Sequence, residues 1–323
     1  MRINFIGNYG VGYVGESADE NHLTRELETI GHTVQRVPRD IWKAVVDGHI
    51  NPDWDGRLPL EADVNILCKW HHFDKREYVD ALRKISKAPV VYWTWDYMDW
   101  PNTGSWHRAI CQAADLHLTN EGGRLEDIRK DGIIATYFPF DVSDGIYDRV
   151  YRQKKYDVTF FGSWVQKGDR IAYLTKLKDQ IPIKIFSWNW EEWKGRGFDA
   201  EPAVYGKEFA EKVAESKIVI GFSVEPDCWG YWSNRVGKVL TVGGFLLYQY
   251  APGMELSIGP GASYFSSIPE MLEKVDHYLI DDDGRETITE VGYKIGRRQF
   301  TSRKRMEQLS VLLERFLSKN RQN

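Results

Sequence analysis

The sequence predicts an α/β chain built as two Rossmann-like, doubly wound parallel-sheet domains, and three observations carry that expectation. Short apolar runs alternate with helix-like runs through residues 1–140, the alternation restarts after a polar, charged bridge at 141–157, and small-residue turns follow several apolar runs directly.

In the first half, RINFI (2–6), HTVQRV (32–37), ADVNILC (62–68), PVVYWT (89–94), DLHLTN (115–120) and IIATYF (133–138) read as strands. The run SADENHLTRELETIGH (17–32) reads as a helix, because Leu23, Leu27 and Ile30 repeat at the helical period and Gly31 supplies the stop. Repeated strand–helix–strand units imply a parallel sheet covered on both faces. In the second half, YDVTFFGS (156–163), IPIKIFS (181–187), SKIVIGFS (216–223), GFLLYQY (244–250) and GASYFSS (261–267) read as strands, separated by helix-like runs at 168–180, 206–216, 234–242 and 268–280. The bridge has no apolar period and sets the boundary between domains 1–145 and 146–323. After residue 283 the chain reads as helix followed by helix, and a terminal helix of this kind can pack back across the first domain.

A chain of 323 residues with 42% hydrophobic content suits two domains with a sizeable core. MRINFIGNYG enters a strand at once, without the pattern of a leader, and no apolar run approaches the roughly 18 residues that a membrane span needs. A soluble, cytoplasmic protein with no membrane span is expected. Cys68, Cys111 and Cys228 lie far apart with no Cys-x-x-Cys pairing, so reduced structural thiols are expected, with no metal site and no disulfide. The net charge of −4 is uneven: residues 1–150 carry −7 and residues 151–323 carry +3, which makes the second half the better host for an anion.

In open parallel sheets, ligands bind beyond the carboxyl ends of the strands. The first strand runs into GNYGVGYVGES, where Gly7, Gly10, Gly12 and Gly15 let backbone amides approach a phosphate; a plain surface loop is the competing reading. The first strand of the second half runs into Phe161-Gly162-Ser163-Trp164, suited to a phosphate or a ribose, or else an ordinary strand-to-helix turn. Ser187-Trp188-Asn189-Trp190 offers aromatic faces. The segment FSVEPDCWGYWSNR brings Glu225 and Asp227 ahead of Ser233, Asn234 and Arg235. A guanidinium at a helix mouth is an anion clamp, with surface pairing to Asp227 or Glu225 as the alternative. Gly243 and Gly244 close that helix and turn the chain into the next strand.

These pieces, taken with Pro252-Gly253-Met254-Glu255, Tyr264, Ile268-Pro269-Glu270-Met271, Arg285-Glu286 and Gly292, resemble the donor domain of GT-B glycosyltransferases, over roughly residues 156–310. The likeness is to the spore-maturation-protein-like branch of the "glycosyl transferases group 1" type. The resemblance implies two domains facing a cleft and a nucleotide-sugar co-substrate, a UDP-sugar, with no further cofactor. It carries Arg235 to the donor diphosphate, Ser233 and Asn234 to its surroundings, and Gly162 and Ser163 to the nucleotide side. Apart from the resemblance, Gly10, Gly12, Trp164, Lys238, Gly243 and Gly244 are further donor-binding candidates. Two positions depart from the family pattern: Lys238 stands where a glutamate usually holds the ribose, and Phe300 stands before Thr301 where a histidine is frequent. Glu225 is the candidate substitute carboxylate.

The first half resembles the family in architecture alone, so its candidates come from strand ends. His71 and His72 follow the strand ending near Cys68, and Asp96 and Asp99 follow YWTW. Asp96 ranks first as the base for an acceptor hydroxyl, ahead of His71, with a turn carboxylate and structural imidazoles as the alternatives. Asp281-Asp282-Asp283 reads as a solvated turn, and Lys294, Arg297, Arg298, Arg303, Lys304 and Arg305 as a solvated face or a strip for an anionic acceptor. Many of the thirteen tryptophans flank strand ends, where they can stack on sugar or base or simply fill the core. The expected activity is sugar transfer from a nucleotide sugar to a glycan, small-molecule or DNA acceptor, such as a hydroxymethylated base in phage-type DNA or a cell-surface glycan. The competing expectation is a nucleotide- or glycan-binding module without turnover.

Overall fold

The computed structural model describes residues 1–9, 18–49, 61–68, 76–140, 149–164 and 169–320. The chain divides into two compact units, Met1–Phe140 with Met306–Asn323, and Asp141–Arg305.

In the first unit, β1 (Arg2–Gly7), β2 (Thr33–Pro38), β3 (Val64–Cys68), β4 (Val90–Trp93), β5 (Leu116–Thr119) and β6 (Ala135–Tyr137) form a parallel sheet in the order β2-β1-β3-β4-β5-β6. Its helices are α1 (Asp19–Thr29), α2 (Arg39–Val46), α3 (Glu77–Ser86), α4 (Ser105–Ala113) and α5 (Leu125–Lys130). Every residue of β3, β4 and β5 is buried, as expected of central strands clothed on both faces. One core joins Ile6, Leu67, Val90 and Tyr92 of the sheet to Trp42, Val79, Leu82 and Ile110 of α2, α3 and α4. The last residues of the chain belong to this unit: Ser310 Oγ lies 2.9 Å from His32 Nε2, and Met306, Leu309 and Leu313 are buried.

The second unit holds β7 (Tyr156–Phe161), β8 (Ile183–Ser187), β9 (Asp199–Pro202), β10 (Ser216–Gly221), β11 (Leu246–Gln249) and β12 (Ser263–Phe265), parallel and in the order β12-β11-β10-β7-β8-β9. The helices are α6 (Arg170–Lys178), α7 (Trp190–Gly195), α8 (Gly206–Ala214), α9 (Arg235–Thr241), α10 (Met254–Ser257), α11 (Ile268–Ile280) and α12 (Asp282–Gln299), and α13 (Ser302–Asn320) leads out of the unit. Alternation along the strands splits the core in two. Val158, Phe160, Ile183, Ile185, Ile218, Ile220 and Leu247 face α6, α7 and α11, whereas Phe161, Phe186, Val219, Leu246 and Tyr248 face α8 and α9.

The sequence missed β9. Its four residues, Asp-Ala-Glu-Pro, bury only Ala200 and sit at the sheet edge, so neither alternation nor an apolar run marks them. Asp281-Asp282-Asp283 is also corrected, from a loop turn to a helix start: Asp281 Oδ1 accepts the Gly284 amide at 2.9 Å as the cap of α12, and Asp282 pairs with Arg285. The basic run near residue 300 is split, with Arg305 buried and Lys294, Arg297, Arg298, Arg303 and Lys304 exposed.

Helix α12 packs on α9 and on the Gly259–Gly261 turn through a glycine face. A Cβ on Gly292 would stand 2.3 Å from the Gly261 carbonyl oxygen, and one on Gly296 would stand 2.8 Å from the Thr241 amide nitrogen. These neighbours are backbone, which cannot swing away. In an open helix Gly→Ala stabilises by about 1 kcal/mol; here Gly292→Ala should destabilise by roughly 1–3 kcal/mol. Urea unfolding of the full chain measures it, and a stabilised variant would contradict the close approach.

Candidate functional site

The chain runs from β7 to β8 and β9 on one side of the second sheet, then returns to place β10 against the other side of β7. The carboxyl ends of β7 and β10 therefore flank the point where strand order reverses, and the crevice there is the ligand position in open α/β sheets. Gly162, Ser163 and Trp164 follow β7, and the segment leading to Ser233, Asn234 and Arg235 follows β10.

Asn189, just past β8, fixes the turn after β7. Its Oδ1 accepts the Trp164 amide at 2.9 Å, its Nδ2 donates to the Trp164 carbonyl at 3.1 Å, and Ser187 Oγ lies 2.6 Å from Oδ1. Trp188, 65% exposed, donates its indole N–H to Ser163 Oγ. Trp164 packs edge-on against Trp193, with Arg196 over its face at 4.3 Å.

On the β10 side, the Ser223 hydroxyl lies 3.2 Å from both the Glu225 and Tyr231 carbonyl oxygens and so folds the connecting loop back on itself. Tyr248 of β11 then receives the returning chain: its hydroxyl oxygen accepts the Ser233 amide at 3.1 Å. Burial pushes the Tyr248 phenol up to about 12, so it stays neutral and available. Its ring lies against Gly221, where a Cβ would be 2.4 Å from a ring carbon, so β10 must end in glycine for Tyr248 to fit. Arg235, exposed at the start of α9, donates through Nη1 to Ser233 Oγ at 3.2 Å.

Sequence reasoning missed Arg170, the first residue of α6. It is 6% exposed, and among the described residues its Nε has no hydrogen-bond partner and Nη1 reaches the Ser163 carbonyl at 3.5 Å. Burial and then the Arg235 charge hold its pKa below the ordinary arginine range, while the Tyr248 and Tyr231 phenols act in the opposite sense. Among the described residues no carboxylate pairs with it. Arginine remains a cation at neutral pH, so the edge carries two neighbouring guanidinium groups, one of them buried. Uncompensated buried cations are costly, and an anion with several acceptor oxygens would satisfy both through charge-assisted hydrogen bonds. The overlooked signal was position: Arg170 opens the helix that follows the Gly162–Trp164 turn.

The other sequence candidates are dispersed. Glu225 lies half-buried in the β10 loop, and Asn234 and Lys238 are half-buried, at the cap and in the last turn of α9. Gly243 and Gly244 are not brought to this edge. They precede β11 and so lie at the opposite, amino-terminal edge, where a Cβ on Gly244 would meet Val213 and Val239; their work is packing. Gly10, Gly12, His71 and His72 lie outside the described residues. Of the tryptophans proposed as stacking faces, Trp93, Trp95, Trp100, Trp193 and Trp232 are core, while Trp188 and Trp229 are exposed.

In the first unit Asp96 is half-buried just beyond the carboxyl end of β4, and its loop is held by Glu121, a second residue that the sequence did not single out. Glu121 is 1% exposed, and its carboxylate accepts the amides of Met98 and Trp100. Burial raises its pKa to about 7 against the opposing pull of those two amides. A carboxyl raised from 4.5 to about 7 on folding contributes stability that is complete below the unfolded value and is lost as pH climbs through 7. Glu121→Gln, neutral throughout, removes that slope. The stability difference should shift in the variant's favour by roughly 3 kcal/mol between about pH 4.5 and 7. Urea unfolding at several pH values reads this directly, and a pH-independent difference would contradict it.

Residues 152–310 match a family model described as "Glycosyl transferase-like". Comparison with curated protein sequences finds no match. Among solved structures, the chain is similar to sucrose-phosphate synthase from Thermosynechococcus elongatus, with a TM-score of 0.68 at 11% identity over 99% of this chain and 100% of that one. It is similar to Anabaena HepE in complex with UDP-glucose, with a TM-score of 0.67 at 12% identity over 97% and 99% of the two chains. It is also similar to an alpha-glucosyltransferase in complex with UDP-glucose and DNA containing an abasic site, with a TM-score of 0.63 at 12% identity over 97% and 99%. Among the described residues no helix is long and apolar enough to cross a membrane. The two six-stranded parallel sheets with flanking helices are the GT-B fold, and the match to the glycosyl transferase-like model lies within it, over residues 152–310.

Proposed function

We propose that this chain is a glycosyltransferase that takes a sugar from a nucleoside-diphosphate sugar of the uridine class and transfers it to an acceptor hydroxyl. The observation that carries the reading is the buried Arg170 guanidinium beside Arg235, at the carboxyl ends of β7 and β10. The glycosyl transferase-like match over 152–310 and the UDP-glucose in two of the similar structures support it.

In this reading the donor diphosphate lies against Arg170 and Arg235, and the nucleoside lies on the side of Gly162, Ser163 and Trp164. As the bond from the sugar to the diphosphate oxygen breaks, the electron pair leaves on the diphosphate, and two fixed cations stabilise the charge that develops. The acceptor oxygen forms the new bond to the sugar, and Asp96 takes its proton. The spore-maturation-like branch remains part of the proposal, with Lys238 as its departure from the family pattern. Lys238 also favours a second reading, a nucleotide-binding module without turnover. Release of UDP from UDP-glucose in the presence of an acceptor panel supports the enzyme, and an intact donor supports the module.

Arg235→Ala should remove a charge-assisted contact worth roughly 1.5–3 kcal/mol and weaken UDP binding by about ten- to a hundredfold. Arg170→Ala, with folding checked by circular dichroism, should weaken it at least as much. Calorimetry that finds either affinity unchanged removes that residue from the donor site. Asp96→Asn should lower kcat by about a hundredfold or more with UDP affinity nearly intact; full turnover in that variant would assign the proton to another group.

A further inference from the structure

Three ligand-type side chains converge in the core of the first unit. His107 and Cys111 stand one turn apart on α4, His117 is the second residue of β5, and each is 1% exposed. One ligand atom from each lies within 4.8 Å of the other two, and His107 Nε2 is 3.5 Å from Cys111 Sγ.

The outer nitrogens of both imidazoles are already engaged. His107 Nδ1 lies 2.8 Å from Thr103 Oγ1, and His117 Nε2 lies 3.0 Å from Thr94 Oγ1. The Thr94 hydroxyl gives its hydrogen to the Leu118 carbonyl at 3.3 Å, so its oxygen accepts from His117 Nε2–H. In that arrangement His117 Nδ1 carries a lone pair, and it is buried without a hydrogen-bond partner among the described residues. An imidazole whose far N–H is held by an oxygen while its near nitrogen is bare is the arrangement found around bound metal ions. The ring centroids of His107 and His117 are 5.8 Å apart and nearly perpendicular, while Tyr92 stacks on His117 and meets His107 edge-on.

We propose that His107, Cys111 and His117 bind one thiophilic d10 cation, Zn²⁺ or Cu⁺, as a structural site that ties α4 to β5. Ligand bonds of about 2.0 Å to nitrogen and 2.3 Å to sulfur set the ligand atoms roughly 3.3–3.8 Å apart, so closure takes movements of about an ångström. Thiolate and imidazole together select this class of ion over magnesium or calcium. On binding, the Cys111 thiol releases its proton to solvent and the sulfur donates to the ion; no electron is transferred. Because the site is buried, the ion enters during folding or local opening. The sequence hid it, since a His-x3-Cys pair on a helix and a histidine on the next strand form no recognised ligand spacing.

The test uses the full chain, unfolded with a chelator and refolded under a reductant with Zn²⁺, with Cu⁺, or with Co²⁺ as a spectroscopic probe. One equivalent of Zn²⁺ or Cu⁺ should be retained after desalting, and competition between the two identifies the preferred ion. Co²⁺ should give a thiolate charge-transfer band that is lost in Cys111→Ser and kept in Cys228→Ser. Thr94→Val, which leaves all three ligands in place, should weaken binding by roughly 10–100-fold and decides the matter should Cys111→Ser not fold. Failure of the wild type to retain any of these ions, a band that persists in Cys111→Ser, or unchanged affinity in Thr94→Val would overturn the site.

Discussion

A parallel sheet sends the carboxyl end of every strand to one edge, and both units of this chain rest on that constraint. In the second unit, strand order reverses between β7 and β10, the position where open α/β sheets bind ligands, and the helices that start at that edge carry Arg170 and Arg235. Burying Arg170 beside another guanidinium is unfavourable in isolation. At the same edge Tyr248 stays a neutral phenol, Ser223 closes the loop, and Asn189 locks the turn after β7. An anionic ligand would offset that cost, which is the basis of the proposed donor site.

Much of this architecture was legible in the sequence because burial on both faces writes itself as apolar runs. Strands such as VNILC and the β7 segment YDVTFF were readable, and so were the positions of the turns behind them. What escaped lacked that signature. β9 is an edge strand with one buried alanine, and the acidic triplet before α12 reads as a turn until its side chain is seen capping a helix. The charge asymmetry pointed to the second unit as the host for an anion, and Arg235 stood out as the last residue of the Ser233-Asn234-Arg235 triplet at a helix mouth. Arg170 did not, because an arginine opening an amphipathic helix looks like a solvated one until its burial is known.

The same distinction separates the glycines. Gly162 follows a strand at the site edge, whereas Gly243 and Gly244 precede a strand at the other edge, and their adjacency to a helix with Arg235 at its start made the two roles look alike in sequence. Gly292 and Gly296 are legible only in three dimensions, as the surface by which α12 meets backbone. In the first unit the buried groups that matter most, Glu121 and the His107, Cys111 and His117 cluster, are drawn together from separate elements, so no local pattern announces them.

The proposed function stands on recognition of a diphosphate by the two guanidinium groups at the β7 and β10 ends. Calorimetric titration of the wild-type chain with UDP and, separately, with uridine tests it most directly, since the two ligands share a base and a ribose and differ only in the diphosphate. UDP should bind at least about tenfold more tightly, and raising the salt concentration should narrow the gap. Equal affinities for UDP and uridine would contradict it.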